Sequence, residues 1–193
     1  MSIDKRLKSV RERLKAEKFD EDGDGRAIVK INITDADSLL SVYNDDGQEI
    51  ISSETATFIN NVTKPIPARQ DIHLQISCDE YTKEKEQVYK NAITNYYLNE
   101  FAHNDFILKK NLILSCILFV VATICFTILY LMSVFNAPEI LYLLFDVVSW
   151  VFMWEAVDQF FLQRHFLKTK QYKELQIIFA KITFKALKSR DMK

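Results

Sequence analysis

The chain has 193 residues with 25 Lys and Arg against 26 Asp and Glu, a formal charge of −1, so no overall positive excess points to nucleic acid. Hydrophobic residues make up 49% and are unevenly spread: Leu112 to Phe135 is uncharged and almost wholly apolar. That concentration leaves about 110 preceding residues for a water-soluble module with only a small core.

In chain order, residues 2–18 read as a basic amphipathic helix. Ile3, Leu7, Val10 and Leu14 recur at helical spacing, with Lys and Arg over the other faces. Such a helix suits an anionic membrane surface or the protein's own module, and both readings stand. MSIDKRLKSV lacks the apolar stretch of a cleavable signal, so the first span is expected to act as its own targeting signal. The acidic linker that follows closes a segment of residues 1–25. Within it Asp20, Asp22 and Asp24 with Gly25 match the opening of a calcium loop, whose alternate carboxylates converge on a hard cation. The twelfth position is Ile31 rather than a bidentate Glu, so a solvated turn is expected and no cofactor or metal is assigned.

Residues 26–78 read as a small α+β module. Arg26–Thr34 and Asp71–Cys78 alternate as strands do. Between them Ser52 or Ser53 can cap a helix with Ile51, Phe58, Ile59 and Val62 on its apolar face, and a short helix is expected over Ser38–Tyr43. Two strands make a marginal sheet, so pairing with another copy or a cytoplasmic protein partner is expected.

Beyond Gly47 there is no glycine, and after Pro67 the sole proline is Pro138. Ser77 and Glu80 fit a capping box. One helix is therefore expected to run from about residue 80 through a cytoplasmic stretch (79–111) into a first span (112–135). The second is expected from Pro138 through a span (139–162) into a basic cytoplasmic helix (163–193), reaching about Lys188. The 24 residues of the first span cover about 36 Å, enough for a hydrocarbon core of about 30 Å. The cytoplasmic stretches, bearing Val88, Ile93, Tyr97 and Phe101 on one side and Tyr172, Leu175, Ile178, Phe179 and Ile182 on the other, are expected to pack as a two-helix stalk. The predicted fold class is thus a mainly α membrane protein: a transmembrane hairpin, long cytoplasmic helical extensions and a small N-terminal α+β module. Lys109, Lys110 and Arg164 flank the spans while the turn holds only Glu139, which puts both termini in the cytoplasm.

The second span carries Asp146, Glu155 and Asp158. Intramembrane carboxylates face protein or water rather than lipid. With the turn centred on Ala137, Asp146 comes level with Thr127, Asp158 with Ser115 and Cys116, and Arg164 with Lys110. Trp150 and Trp154 suit an interfacial belt, which puts Glu155 and Asp158 at the inner surface. Asp146 stays deep in either register, as a helix–helix hydrogen bond or on a water-lined path. Asp146 and Glu155 lie on opposite helix faces, which favours a homo-oligomer. No nucleophile–base pattern or phosphate loop is visible, and His73, His103 and His165 form no i,i+4 ligand pair, so no catalytic role is assigned.

Trp150–Asp158 with the basic stretch behind it, together with Ile51–Ile59, resembles uncharacterised two-span bacterial membrane proteins. The resemblance implies a bacterial inner membrane and carries no activity or site. The expected role is a two-pass membrane protein that self-associates and presents a docking or sensing module. The alternative is an oligomeric pore or membrane-perturbing effector with Asp146 on its path.

Overall fold

A strand from near the end of the chain completes a sheet begun near its start. A computed structural model describes residue 5 and residues 20–43, 48–80, 83–135 and 138–186. It is mainly helical, with one small parallel sheet. In order come β1 (Ala27–Asp35), a 3-10 turn (Ala36–Leu39), α1 (Ser53–Thr63), β2 (Ile72–Glu80) and α2 (Lys83–Val134). Then follow α3 (Glu139–Val157), a π-helical turn (Asp158–Gln163), α4 (Arg164–Ile178) and β3 (Lys181–Ala186). The basic segment over residues 2–18 falls, apart from Lys5, outside the described residues. The chain divides into two compact units, Met1–Leu98 with Leu175–Lys193, and Asn99–Glu174.

In the first unit the strands lie parallel in the order β1-β2-β3, with Val29 opposite Leu74 and Leu74 opposite Ile182. The two-residue period sends Val29, Ile31, Leu74, Ile76, Ile182 and Phe184 to one buried face. Ala56 and Ile59 of α1, and Tyr89, Ile93 and Tyr97 of α2, belong to the same core. The Tyr89 ring lies 5.7 Å from that of Phe184. Adjacent parallel strands need a crossover connection. Between β2 and β3 that connection is residues 81–180, the whole apolar hairpin included.

Several expectations change here. The second helix does not reach Lys188: α4 stops at Ile178, and Lys181–Ala186 is a strand. Two strands become three. Ile93 and Tyr97 pack in the sheet core rather than on a helical stalk, Ile182 sits on β3, and Tyr172 and Phe179 are exposed. Ser77 lies within β2, so the Ser77–Glu80 capping box is not formed. The helix expected at Ser38–Tyr43 is the 3-10 turn Ala36–Leu39. α1 starts as expected, with the Ser52 hydroxyl accepting from the Thr55 N–H at 3.2 Å, but it buries Ala56, Ile59 and Thr63 and leaves Phe58 exposed.

The second unit is built from α2 beyond Leu98, α3, the π turn and α4 as far as Glu174. Two helices are long and apolar enough to cross a membrane, and only 22% and 11% of their most apolar stretches is buried. The core helix of a soluble protein would bury most of such a stretch. Ser115, Ala122, Ser149 and Ala156 are buried small residues of these helices, and small residues at a helix contact allow close packing. Ser115 Oγ donates to the Ala156 carbonyl at 2.7 Å, and Phe126 meets Trp150 edge-on at 6.0 Å. Both contacts lie within about one helical turn of the expected alignment. Pro138 caps α3, its carbonyl accepting from the Leu141 N–H at 3.0 Å.

Candidate functional site

Asp146 is half-buried, and among the described residues no hydrogen bond or ion pair reaches it. Its expected neighbour Thr127 is exposed and donates instead to the Thr123 carbonyl of its own helix at 2.8 Å. A helical threonine does this readily, because its hydroxyl reaches the carbonyl four residues back. The other two acids are held locally. Glu155 accepts from Gln159 Nε2 at 2.9 Å, and Asp158 accepts from Gln163 Nε2 at 3.4 Å. Asp158 and Gln163 sit at the two ends of the π turn, whose extra residue per turn brings residues five apart together.

The flanking residues divide in the same way. Lys109 pairs with Asp105 at 2.7 Å, and Lys110 is exposed. The Arg164 guanidinium lies over the Phe160 ring at 5.7 Å. Trp150 engages Phe126, whereas Trp154 is exposed. The structure thus brings Ser115 to the second helix and leaves Thr127 and Asp146 unjoined.

Asp20, Asp22 and Asp24 diverge. Asp20 pairs with Lys30 at 2.9 Å, and Asp24 pairs with Arg26 at 3.2 Å and Lys181 at 3.7 Å. Asp22 Oδ1 accepts the N–H groups of Asp24 and Arg26, each at 3.0 Å, and Gly25 supplies the positive φ of 75° that the turn requires. The pattern that resembles a calcium loop is here a loop fastener. Among the described residues no group of three or more His, Cys, Asp or Glu is placed to hold a metal ion.

The other Asp22 oxygen meets His73 Nδ1 at 3.0 Å, and His73 Nε2 meets Thr183 Oγ1 at 2.9 Å. The N–H of Arg26 holds the Asp22 carboxyl below its usual range, against burial and with help from Asp24 and His73. Carboxylate, imidazole and hydroxyl stand in the order a nucleophilic triad uses. Here the ring is 7% exposed, on the central strand between the Asp22 loop and β3. We read it as a clasp that fastens loop and last strand to β2. Sequence reasoning missed it because residues 22, 73 and 183 carry no common spacing.

Two further polar clusters also join residues far apart in the chain. Tyr89 donates its hydroxyl to Asp37 at 2.7 Å, and Lys85 donates to both Asp37 oxygens at 3.0 Å. The Tyr89 and then the Lys85 hydrogen bonds lower the Asp37 pKa. In the second unit Glu174 is buried, accepting from Asn104 Nδ2, with Lys170 Nζ at 3.8 Å. Burial pushes its pKa up to about 7.

Comparison with protein-family models, curated proteins and solved structures finds no match to this chain.

Proposed function

We propose that the chain is a two-pass protein of a bacterial inner membrane, both termini in the cytoplasm, that self-associates and holds its sheet module at the membrane as a docking or sensing platform. The observation that carries this reading is the pairing of β2 with β3, the strands on either side of the apolar hairpin in sequence. A module interrupted by the hairpin and closed after it stays tied to both helices, as a platform requires. Support for self-association comes from the exposed apolar residues of α2 and α3 and from the opposed Asp146 and Glu155. Its role is structural and recognitive rather than catalytic.

The test is the native mass of the full-length protein extracted in mild detergent, with oxidative crosslinking in membranes through Cys116 and Cys125 of α2. A multiple of the 22.6 kDa chain is expected. A strict monomer that crosslinks to nothing refutes self-association.

A second reading rests on Asp146, a carboxylate on an apolar helix with no described partner. It makes the oligomer a pore or membrane-perturbing effector with Asp146 lining the path. Asp146→Asn and Asp146→Leu discriminate. Conductance lost in both favours the pore. Oligomer stability lost only in the Leu variant favours a hydrogen bond between helices.

A further inference from the structure

Two hollows lie near each other at one end of the hairpin. The first is an apolar groove of about 490 Å³ between α2 and α3. Ser115 and Ala156 line its base, and Phe119, Val120, Phe160 and Phe161 line its walls. Its one hydroxyl, that of Ser115, is already donated to the Ala156 carbonyl. The groove therefore offers a ligand neither charge nor a free hydroxyl, which suits a hydrocarbon chain.

The second hollow, of about 240 Å³, is edged by Lys109, Arg164, Lys168 and Asp105. A small cleft of about 10 Å³ lies between them, sharing Phe160 with the groove and Leu112 and Arg164 with the basic hollow. The charges around the basic hollow do not cancel. Asp105 is engaged by Lys109, whereas Arg164 and Lys168 form no ion pair among the described residues. Arg164 lies over the Phe160 ring, so a cation stands at the head of the groove. The π turn sets Phe160 and Phe161 edge to face, 4.8 Å apart, on the groove wall.

Resting on the membrane reading above, we infer that these hollows form one site for an anionic phospholipid, its phosphate between Arg164 and Lys168 and one acyl chain in the groove beside Ser115 and Ala156. An anion joined to a hydrocarbon chain meets both parts. A free phosphate would use only the basic hollow, and a zwitterionic lipid would bring its own cation towards two others. Basic recesses between membrane helices at the cytoplasmic face are suited to anionic headgroups. A helix from a second copy would fill the groove but leave Arg164 and Lys168 unmet.

The test is native mass spectrometry of the full-length protein titrated with phosphatidylglycerol and, separately, phosphatidylcholine. Phosphatidylglycerol is expected to be retained preferentially. The double variant Arg164→Gln, Lys168→Gln is expected to weaken it roughly thirtyfold, at about fivefold per cation. Val157→Trp, which narrows the groove from its exposed rim, is expected to weaken it as well, with helical circular dichroism unchanged in both variants. Equal retention of the two lipids, or wild-type retention by the double variant, overturns the inference. So does full displacement by inorganic phosphate, which marks a headgroup-only site, or a lipid-free dimer that Val157→Trp breaks. Carbonate washing of membranes separates the two levels. A protein that washes off refutes the membrane reading, and one that stays without lipid preference refutes only this site.

Discussion

Replacing Glu174 by Gln should change how stability depends on pH. The Glu174 side chain is 6% exposed, one oxygen accepts from Asn104, and the other is buried without a hydrogen-bond partner. Burial raises its pKa from 4.5 to about 7, Lys170 opposes the rise, Glu100 adds to it, and the Asn104 bond opposes it. The folded protein thus keeps a proton that the unfolded chain releases near pH 4.5. Folding takes up that proton between pH 4.5 and 7, so stability falls as pH rises through the window and levels off above it. The full shift corresponds to about 3 kcal/mol. Glutamine keeps an acceptor for Asn104 and cannot ionise. Relative to wild type it should gain little at pH 4.5 and up to about 3 kcal/mol above pH 7. The assay is unfolding of the full-length protein in detergent at a series of pH values, with infrared detection of the protonated carboxyl. A difference between variant and wild type that stays constant with pH refutes the reasoning. So does a carboxyl band that titrates near 4.5.

Three further outcomes follow from the packing. Deleting residues 181–193 should release β3 and bare Tyr89 and the β2 edge, opening the sheet module to limited proteolysis while the apolar hairpin stays in the membrane fraction. Unchanged protease resistance would argue against β3. His73→Gln should weaken the clasp to Asp22 and Thr183 by about 1–2 kcal/mol, measured as faster amide exchange in β3 and residues 20–26. Unaltered exchange there would count against the clasp. Ser115→Ala should cost about 0.6 kcal/mol at the α2–α3 contact, read from unfolding in mixed detergent micelles. A cost at or above about 2 kcal/mol would mean the hydroxyl does more than meet the Ala156 carbonyl.

The hairpin, β1, β2 and α1 were legible because each has a local signature. These are an unbroken apolar run, two-residue alternation, and Ser52 at a helix start. The helix–helix alignment was legible too, since only four residues separate Val134 from Glu139 in the sequence, which leaves little choice of register. The site residues were less so. Side-chain bonds such as those of Thr127, Glu155 and Asp158 are decided within one turn of helix, where a nearby carbonyl or glutamine outcompetes a partner across the hairpin.

The sequence by itself determined two helices long and apolar enough to span a membrane, because length and apolarity are summed along the chain. It did not determine where the second helix ends. Lys181-Ile182-Thr183-Phe184-Lys185 alternates as a strand should, yet no glycine or proline separates it from α4, so nothing local marks the switch. The tertiary structure decided it. A helix continued past Ile178 would leave the β2 edge and the faces of Tyr89 and Ile76 bare. Pairing as β3 satisfies that edge, buries Ile182 and Phe184 and brings Thr183 to His73. The same long-range pairing makes the hairpin an insertion within a sheet rather than a tail behind it.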